Sequence, residues 1–355
     1  MRRSSWDTLL PAGRADTALR EVTGSIHLSF KLHRFEFSTA LLAGLILAIW
    51  AWSIAFRSDA SALTPSCVHE WAEVGADAEP ACAQAMRAWG TVVVNESSRL
   101  LGALAYLPFA IGLLAGVPIV AREIETGTAR TAWSLYPERA VWLARQTMPI
   151  FVAILAVMSL VALTSQSVES ARVIWGYSAV EDMGRYGFVL VANAVVAFAI
   201  ALAVGALLGR TLPALVLAAA CMVAISGATS QAHTVWLGGL QPTVVNVGSG
   251  PGAQELSPGA IVTDIAWRAP DGRQLSLAEA TGIAHSAGVP APSAEDPGDS
   301  AAVGWLEAHQ FVPLGLGITM DTALSWGLWE ATGKYVIAAA FAAVALFAVR
   351  RRRPR

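Results

Sequence analysis

The sequence predicts an all-α, polytopic membrane protein with six transmembrane helices, cytoplasmic N and C termini, and a small mixed α/β extracytoplasmic domain between helices 5 and 6. Three observations lead to this class. The chain is 55% hydrophobic and only 14% charged, its apolar residues form six long runs, and its basic residues are grouped between particular runs. A soluble domain carries about a quarter charged residues, so this composition indicates lipid as the main solvent.

Each run is long enough, or nearly so, to cross about 30 Å of hydrocarbon, which takes roughly 20 apolar residues. The predicted spans are 38–56, 101–120, 142–164, 187–208, 211–228 and 333–349. The fourth and fifth spans are almost contiguous, so they predict a tight helical hairpin that turns near residues 209–212. The other predicted segments are an N-terminal segment at 1–37, loops at 57–100, 121–141 and 165–186, a domain at 229–332, and a basic tail at 350–355.

The orientation follows from the basic residues. Sixteen of the 24 lysines and arginines lie before the first span, around the second loop, in the fourth loop or in the tail. Basic residues in short loops stay in the cytoplasm, so both ends are predicted to be cytoplasmic. Arginine greatly outnumbers lysine in an alanine- and glycine-rich chain, which favours a bacterial cytoplasmic membrane. The net charge of −2 gives no attraction to nucleic acid.

The N-terminal segment has apolar residues at intervals of three, four and four. They are Leu19, Val22, Ile26 and Phe30, with basic residues between them. This spacing predicts an amphipathic helix over 16–37 that lies on the membrane lipid. The alternative is an ordinary basic flank of the first span.

Two cysteines, Cys67 and Cys82, lie in the first predicted extracytoplasmic loop. Because that compartment is oxidising, they are candidates for a disulfide. A metal site that also used His69 and Glu70 is a weaker alternative because its spacing is irregular, so no metal site is predicted. Cys221 lies in the fifth span, where a packing role is expected.

The predicted extracytoplasmic domain is rich in glycine, proline and serine. Residues 261–267 and 273–275 flank the turn residues 270–272, which predicts a β-hairpin. A short helix is expected at 277–286, followed by a loop at 289–300. We identify no catalytic constellation in this domain.

Two glycine pairs have the spacing that lets helices approach closely. They are Gly112 with Gly116, and Gly205 with Gly209. Glycines four residues apart remove the side chains that would separate two helix backbones. The pairs predict either internal helix packing or a dimer interface.

Charged residues are missing from the centres of the spans, which argues against an ion-coupled carrier.

The loop at 121–141 alternates acids and bases next to the membrane. A short helix parallel to the bilayer would present Glu123, Glu125 and Arg130 to a soluble partner. The alternative is a solvated connecting loop with ordinary cytoplasmic arginines.

A phosphate-binding P-loop ends in Gly-Lys followed by Ser or Thr, whereas Gly333-Lys334 is followed by Tyr335. The chain is therefore not predicted to be an ATPase or any other enzyme.

A family resemblance rests on residues 116–128, which read Gly-Val-Pro-Ile-Val-Ala-Arg-Glu-Ile-Glu-Thr-Gly-Thr, with Ala-Trp-Ser at 132–134. Residues 205–213, Gly-Ala-Leu-Leu-Gly-Arg-Thr-Leu-Pro, add to it. Here the chain resembles the permease subunits of ABC-2 type ABC exporters, particularly those of actinobacteria. Residues 311–329 depart from that family, since they lack an arginine that relatives carry before the last span.

The resemblance implies that the loop after the second helix is a coupling helix, which docks on a separate ATP-binding subunit. The implied contact residues are Arg122, Glu123, Glu125, Thr126, Gly127, Thr128 and Arg130. ATP and magnesium would be bound by that subunit, and no cofactor by this chain. The permease would pair with itself or with a sister permease and export an unidentified substrate. The alternative function is a sensor or scaffold whose extracytoplasmic domain binds a ligand and which has no ATPase partner.

Overall fold

The computed structural model describes residues 34–60, 66–67, 70, 78–135, 138–173, 184–239, 243–247, 261–290 and 300–352. The helices in these ranges are α1 Arg34–Ala60, α2 Pro80–Gly90, α3 Ser97–Glu125, α4 Thr128–Leu135, α5 Arg139–Val173, α6 Phe188–Leu208, α7 Thr211–Gly239, α8 Leu277–Ser286, α9 Ser300–Ala308 and α10 Met320–Arg351. The strands are β1 Thr243–Val247, β2 Ile261–Arg268, β3 Gln274–Ser276 and β4 Val312–Ile318. The predicted surface helix at 16–37 lies outside the described residues except for its last four, and so does most of the predicted loop at 289–300.

Six helical stretches within the described residues are long and apolar enough to cross a membrane. They are Ser38–Ser58, Pro80–Glu125, Arg139–Glu169, Phe188–Leu208, Thr211–Trp236 and Asp321–Arg351. Each overlaps one predicted span, so the prediction of six membrane helices is confirmed, and the chain is a multi-pass membrane protein. The 31 residues of the third stretch measure roughly 46 Å at about 1.5 Å per residue. That helix is therefore longer than the hydrocarbon layer is thick.

The chain folds into two compact units, which we describe separately. The first comprises residues 1–167, 184–230 and 330–355, and the second comprises 168–183 and 231–329. In the first unit α6 is the central helix, because 17 of its 21 residues are buried. Its core cluster includes Val117, Ile200, Ala218 and Ala338, which come from α3, α6, α7 and α10. The predicted hairpin turn is also present, since only residues 209 and 210 separate α6 from α7.

Helices α3 and α6 pack at backbone contact distance. A β-carbon added to Gly112 would lie 2.5 Å from the β-carbon of Ala197, and one added to Gly116 would lie 2.6 Å from that of Ala201. On the facing helix, a β-carbon at Gly205 would lie 3.3 Å from the carbonyl oxygen of Val117. The small residues on both helices therefore allow an approach that any larger side chain would prevent.

A π-helical turn at Thr91–Glu96 joins α2 to α3. It brings Glu96 against Arg57 at the end of α1, and the two side chains form an ion pair with two hydrogen bonds, one of them 3.0 Å long. Arg57 is about half exposed, with 44% of its side chain accessible. The contribution of such an exposed pair to stability is small.

The second unit contains the antiparallel sheet, with strand order β1-β4-β2-β3. The predicted hairpin is confirmed: β2 pairs with β3, and Trp267 lies opposite Leu275. At its turn, Gly272 has a φ of +84°, and the carboxylate of Asp271 accepts a hydrogen bond of 3.0 Å from the amide of Arg273. Glycine is needed there because other residues rarely adopt a positive φ.

The predicted helix at 277–286 is also present as α8. Its N-terminus carries a capping box: the hydroxyl of Ser276 accepts from the amide of Glu279, and the carboxylate of Glu279 accepts from the amide of Ser276 at 2.8 Å. Trp267 from the sheet packs with Ala284 of α8 and Leu306 of α9 in the core of this unit. The unit is thus a small mixed α/β domain.

Candidate functional site

The connection between α3 and α4 is a short, hydrogen-bonded turn at residues 126–128, which we call the Thr126 turn. The hydroxyl of Thr126 donates to the carbonyl oxygen of Arg122 at 2.9 Å, and that of Thr128 donates to the carbonyl oxygen of Glu123 at 3.2 Å. The two hydroxyl oxygens are 3.0 Å apart. Gly127 between them has a φ of +77°, which suits glycine. The sequence Thr-Gly-Thr therefore closes α3 and starts α4 with little freedom between them.

Helix α4 is held by its tryptophan. The guanidinium carbon of Arg139 lies 4.8 Å from the ring centroid of Trp133, a distance typical of cation–π contacts. On the other side, Trp133 meets the buried Trp142 edge to face, with ring centroids 5.8 Å apart. Both partners belong to α5. These contacts join α4 to the start of α5, so the two helices are expected to move together.

The two acids of the predicted contact both make bonds inside the chain. The carboxylate of Glu125 accepts from the backbone amide of Thr211 at 2.8 Å and from its hydroxyl at 2.7 Å. Glu125 thus binds the positive end of α7. Glu123 is half-buried, and its carboxylate accepts from the side-chain amide of Gln146 on α5 at 3.4 Å. The remaining predicted contact residues, Arg122, Thr126, Gly127, Thr128 and Arg130, are exposed.

Two arginines bind the ends of other helices. Arg352, just beyond α10, donates to the carbonyl oxygens of Ala206 at 2.6 Å and Leu207 at 3.5 Å, in the last turn of α6. Arg139 at the start of α5 donates to the carbonyl oxygens of Arg350 and Arg352 at the end of α10. Cations are favourable at helix C-termini, where carbonyl groups lack partners. No sequence signal pairs these residues, since more than 140 positions separate each donor from its acceptor.

These helix ends surround a cavity of about 940 Å³. Four guanidinium groups and one carboxylate line it. The arginines come from α4, from the α6–α7 turn and from the end of α10; they are Arg130, Arg210, Arg351 and Arg352. The carboxylate is that of Glu125, and the side chain of Trp133 also contributes to the wall. The cavity therefore combines a strong positive charge with an aromatic surface.

The predicted glycine pairs lie in two kinds of position. Gly112, Gly116 and Gly205 all face the neighbouring helix of the same chain. Gly209 instead ends α6 with a φ of +62°, and its amide donates to the carbonyl oxygen of Gly205 at 2.9 Å. This is a left-handed C-cap, in which glycine satisfies a terminal carbonyl without steric cost. Gly112, Gly116 and Gly205 thus contact a neighbouring helix within the chain, Gly209 caps α6, and the dimer interface stays a prediction.

Cys67 and Cys82 are joined as a disulfide, with their α-carbons 5.4 Å apart. Cys82 lies near the start of the stretch Pro80–Glu125, which contains α2 and α3 and ends at the Thr126 turn. Both residues are buried, and Cys221 is a free cysteine. Between Cys82 and the Thr126 turn lies the full length of the α2–α3 stretch, Pro80–Glu125. The disulfide and the Thr126 turn therefore lie at opposite ends of one candidate membrane span.

A buried ion pair in α10 was missed by the sequence analysis. Glu330 and Lys334 form it one turn apart, with only 12% and 6% of their side chains exposed. The predicted sixth span began at residue 333, whereas the apolar helix begins at Asp321 and includes both residues. Their spacing of four positions, which is that of a stabilising helical pair, is the signal that could have found them.

A family model described as "ABC-2 membrane transporter related" matches residues 39–233, more than half of the chain. No curated protein and no solved structure matches the chain. The matched region runs from α1 to α7 and contains the Thr126 turn, α4 and most of the residues that line the cavity. The chain has six apolar helices long enough to cross a membrane, and it belongs to the family of ABC-2 related membrane transporter proteins.

Proposed function

We propose that this chain is the transmembrane permease subunit of an ABC exporter in a bacterial cytoplasmic membrane. A separate ATP-binding subunit would bind ATP and magnesium and drive export of the substrate. The permease would act as a homodimer or with a sister permease. Membership of the ABC-2 related family supports the transporter part of this proposal. The observation that carries the coupling part is the pair of hydrogen bonds from Thr211 to Glu125.

Those bonds give the 122–130 segment a direct connection to a second membrane helix. A partner that pushes on this segment displaces the end of α3, to which the Thr126 turn is tightly bonded. Glu125 then carries the displacement to the start of α7. At Gly112 and Gly116 the backbone of α3 packs directly against α6, so the central helix moves as well. ATP-driven closure has an effect only if it favours one of two arrangements of these helices.

The disulfide supports the proposed orientation. Disulfides persist in oxidising compartments and are rare in the cytoplasm. Cys67 and Cys82 lie near the opposite end of the α2–α3 stretch from the 122–130 segment. If the cysteines are extracytoplasmic, the 122–130 segment faces the cytoplasm, where an ATPase is available. Arg350 and Arg351 form the end of α10, and Arg139 bonds that end to the same side of the unit.

The test is purification of the tagged chain from its native membrane in mild detergent, with mass spectrometry of the proteins that accompany it. We expect a soluble protein with a P-loop, in a fixed ratio to the permease. The double variant Glu123→Ala with Glu125→Ala should lose it. The control is Glu138→Ala, which removes an exposed acid just before α5, outside the 122–130 segment, and should retain the partner.

A further variant separates docking from coupling. Thr211→Val removes the hydroxyl that binds Glu125 but leaves the carboxylate and the rest of the segment in place. We expect it to keep the ATPase partner while transport per ATP hydrolysed falls. If no P-loop protein accompanies the wild-type chain in repeated purifications, the exporter proposal is wrong, and a sensor or scaffold would replace it. If the Glu123 and Glu125 double variant transports normally, the segment is not the coupling contact.

A further inference from the structure

The cavity at the ends of α3, α6 and α10 has a charge that the chain itself does not neutralise. Its volume of about 940 Å³ lies within the range of small-ligand sites. The single carboxylate in its wall belongs to Glu125, which is already bonded to Thr211. Four guanidinium groups and one carboxylate leave an excess of three positive charges. An anionic ligand is the natural complement of such a wall.

Two of the arginines have donors to spare. Arg352 uses its guanidinium on the carbonyl groups at the end of α6, and that of Arg351 lies 4.2 Å from the ring centroid of Phe347. Arg130 and Arg210, by contrast, donate no side-chain hydrogen bond to any residue that the structure describes. A guanidinium group offers five donors in a planar fork, which matches the oxygens of a phosphate. These two residues are therefore placed to bind one.

The indole of Trp133 adds an aromatic surface. Trp133 lines the same cavity as Arg130 and Arg210. Tryptophan is also typical of the level at which lipid headgroups lie.

The position of the cavity distinguishes a lipid from a soluble anion. It opens where α6 ends and α7 begins, at the boundary of two candidate membrane spans. Next to Arg210 the side chains of Leu207, Leu208 and Leu212 are 58%, 39% and 77% exposed. Exposed leucines at the end of a membrane helix are suited to contact with acyl chains. A ligand with both a phosphate and an acyl chain would satisfy both surfaces at once.

We propose that this cavity binds the phosphate headgroup of an anionic membrane lipid. Basic pockets between the ends of membrane helices are suited to such headgroups. A bound lipid would join Arg130 on α4 and Arg210 beside α7 through one phosphate group. The inference depends on the membrane location of the chain. It shares Arg130 with the predicted contact to an ATP-binding subunit, so the experiment has to distinguish a lipid from that partner.

The test uses the full chain in nanodiscs that contain dioleoyl phosphatidylcholine with dioleoyl phosphatidylglycerol as the anionic probe. The lipid that stays bound after transfer to detergent is measured by native mass spectrometry. We expect selective retention of phosphatidylglycerol by the wild type. The double variant Arg130→Gln with Arg210→Gln should bind it roughly thirtyfold more weakly, from the typical contribution of a basic residue near an anionic surface.

The matched control is Arg145→Gln with Arg350→Gln, which removes two exposed arginines. Neither lines this cavity, and Arg350 instead borders a separate one with Glu138 and Arg139. We expect it to retain the lipid as the wild type does. A second variant, Arg130→Lys with Arg210→Lys, keeps the charge and should keep part of the binding, which separates loss of charge from misfolding.

Three results would overturn the inference. Equal loss of lipid in the control pair would show that the effect is general surface charge. Saturable binding of inorganic phosphate together with no preference for phosphatidylglycerol would assign the cavity to a soluble anion. Normal lipid retention in the Arg130 and Arg210 double variant, with loss of a copurifying P-loop protein, would make the cavity a docking site for that protein.

Discussion

The glycines of α3 occupy two different surroundings, although they look alike in the sequence. A β-carbon at Gly116 would lie 2.6 Å from the β-carbon of Ala201 and 2.9 Å from the carbonyl oxygen of Phe198. One of these atoms is backbone, so the contact cannot be relieved by rotating a side chain. Gly102, earlier on the same helix, has no atom of another element within 4 Å of the corresponding position. Of these two glycines, only Gly116 is needed for packing.

Gly116→Ala should therefore destabilise the chain, because α3 and α6 must move apart to admit the methyl group. We expect a loss of about 1–3 kcal/mol, the usual cost of overpacking a close contact. The measurement is thermal unfolding of the purified chain in detergent, in which the midpoint should fall by several degrees. Gly102→Ala is the control, and it should leave the midpoint unchanged or raise it slightly, since alanine is the better helix former. Equal midpoints for the two variants would show that α3 and α6 do not pack at backbone distance.

At the scale of the secondary-structure elements, the helices of the first unit are joined through their ends. Glu125 at the end of α3 binds the N-terminus of α7, and Arg352 beyond α10 binds the C-terminus of α6. Arg139 of α5 binds the C-terminus of α10. In every case the charge has the sign that the helix dipole favours. Between apolar helices in lipid there is little hydrophobic force, so such polar contacts define which helix ends stay together.

The capping box of α8 is a local version of the same chemistry in the second unit. Hydrogen bonds from the amide and hydroxyl of Ser276 hold the pKa of Glu279 below its ordinary value of 4.5. A depressed pKa in the folded state stabilises the helix above the pKa of the unfolded state. That contribution is lost as the pH falls through the lower, folded value.

We expect Glu279→Gln to reduce protection of the α8 amides against hydrogen exchange at neutral pH. Below the lowered pKa of Glu279, the wild type and the variant should be equally protected, because the wild-type carboxylate is then protonated. The measurement is hydrogen–deuterium exchange of the peptide that covers Leu277–Ser286, with each pair compared at the same pH. Glu307→Gln on α9 serves as the control and should leave α8 unaffected. A difference that persists unchanged at low pH would rule out the charged capping box.

For the whole molecule, the sequence predicted the number of membrane helices, the hairpin turn at Gly209 and the β-hairpin and helix of the second unit. These features depend on local hydropathy and turn residues, which a single sequence displays. It did not predict that α6 is the central helix, because all six spans are apolar on every side and lipid is as apolar as a protein core. Its signature is a high content of alanine, seven of 21 residues, which allows close packing.

The candidate site was predictable to a smaller extent. The 122–130 segment was found because its motif is contiguous. The bond from Glu125 to Thr211 joins residues 86 positions apart, and the cavity is assembled from α4, the α6–α7 turn and the end of α10. Arginines at membrane boundaries are so common that Arg139, Arg210 and Arg352 could not be distinguished from ordinary cytoplasmic charges. Long-range geometry, rather than residue type, defines their roles.

The predicted orientation of the whole molecule can be tested through its three cysteines. Because Cys67 and Cys82 are bonded and Cys221 is free, a maleimide-linked polymer added in denaturant without reductant should attach once to each chain taken from native membranes. After reduction it should attach three times, as read from the shift on a gel. Cys82→Ser is the control and should accept two polymers under either condition. Since a cytoplasmic pair would stay reduced, three attachments before reduction would contradict both the disulfide and the extracytoplasmic location of residues 57–100.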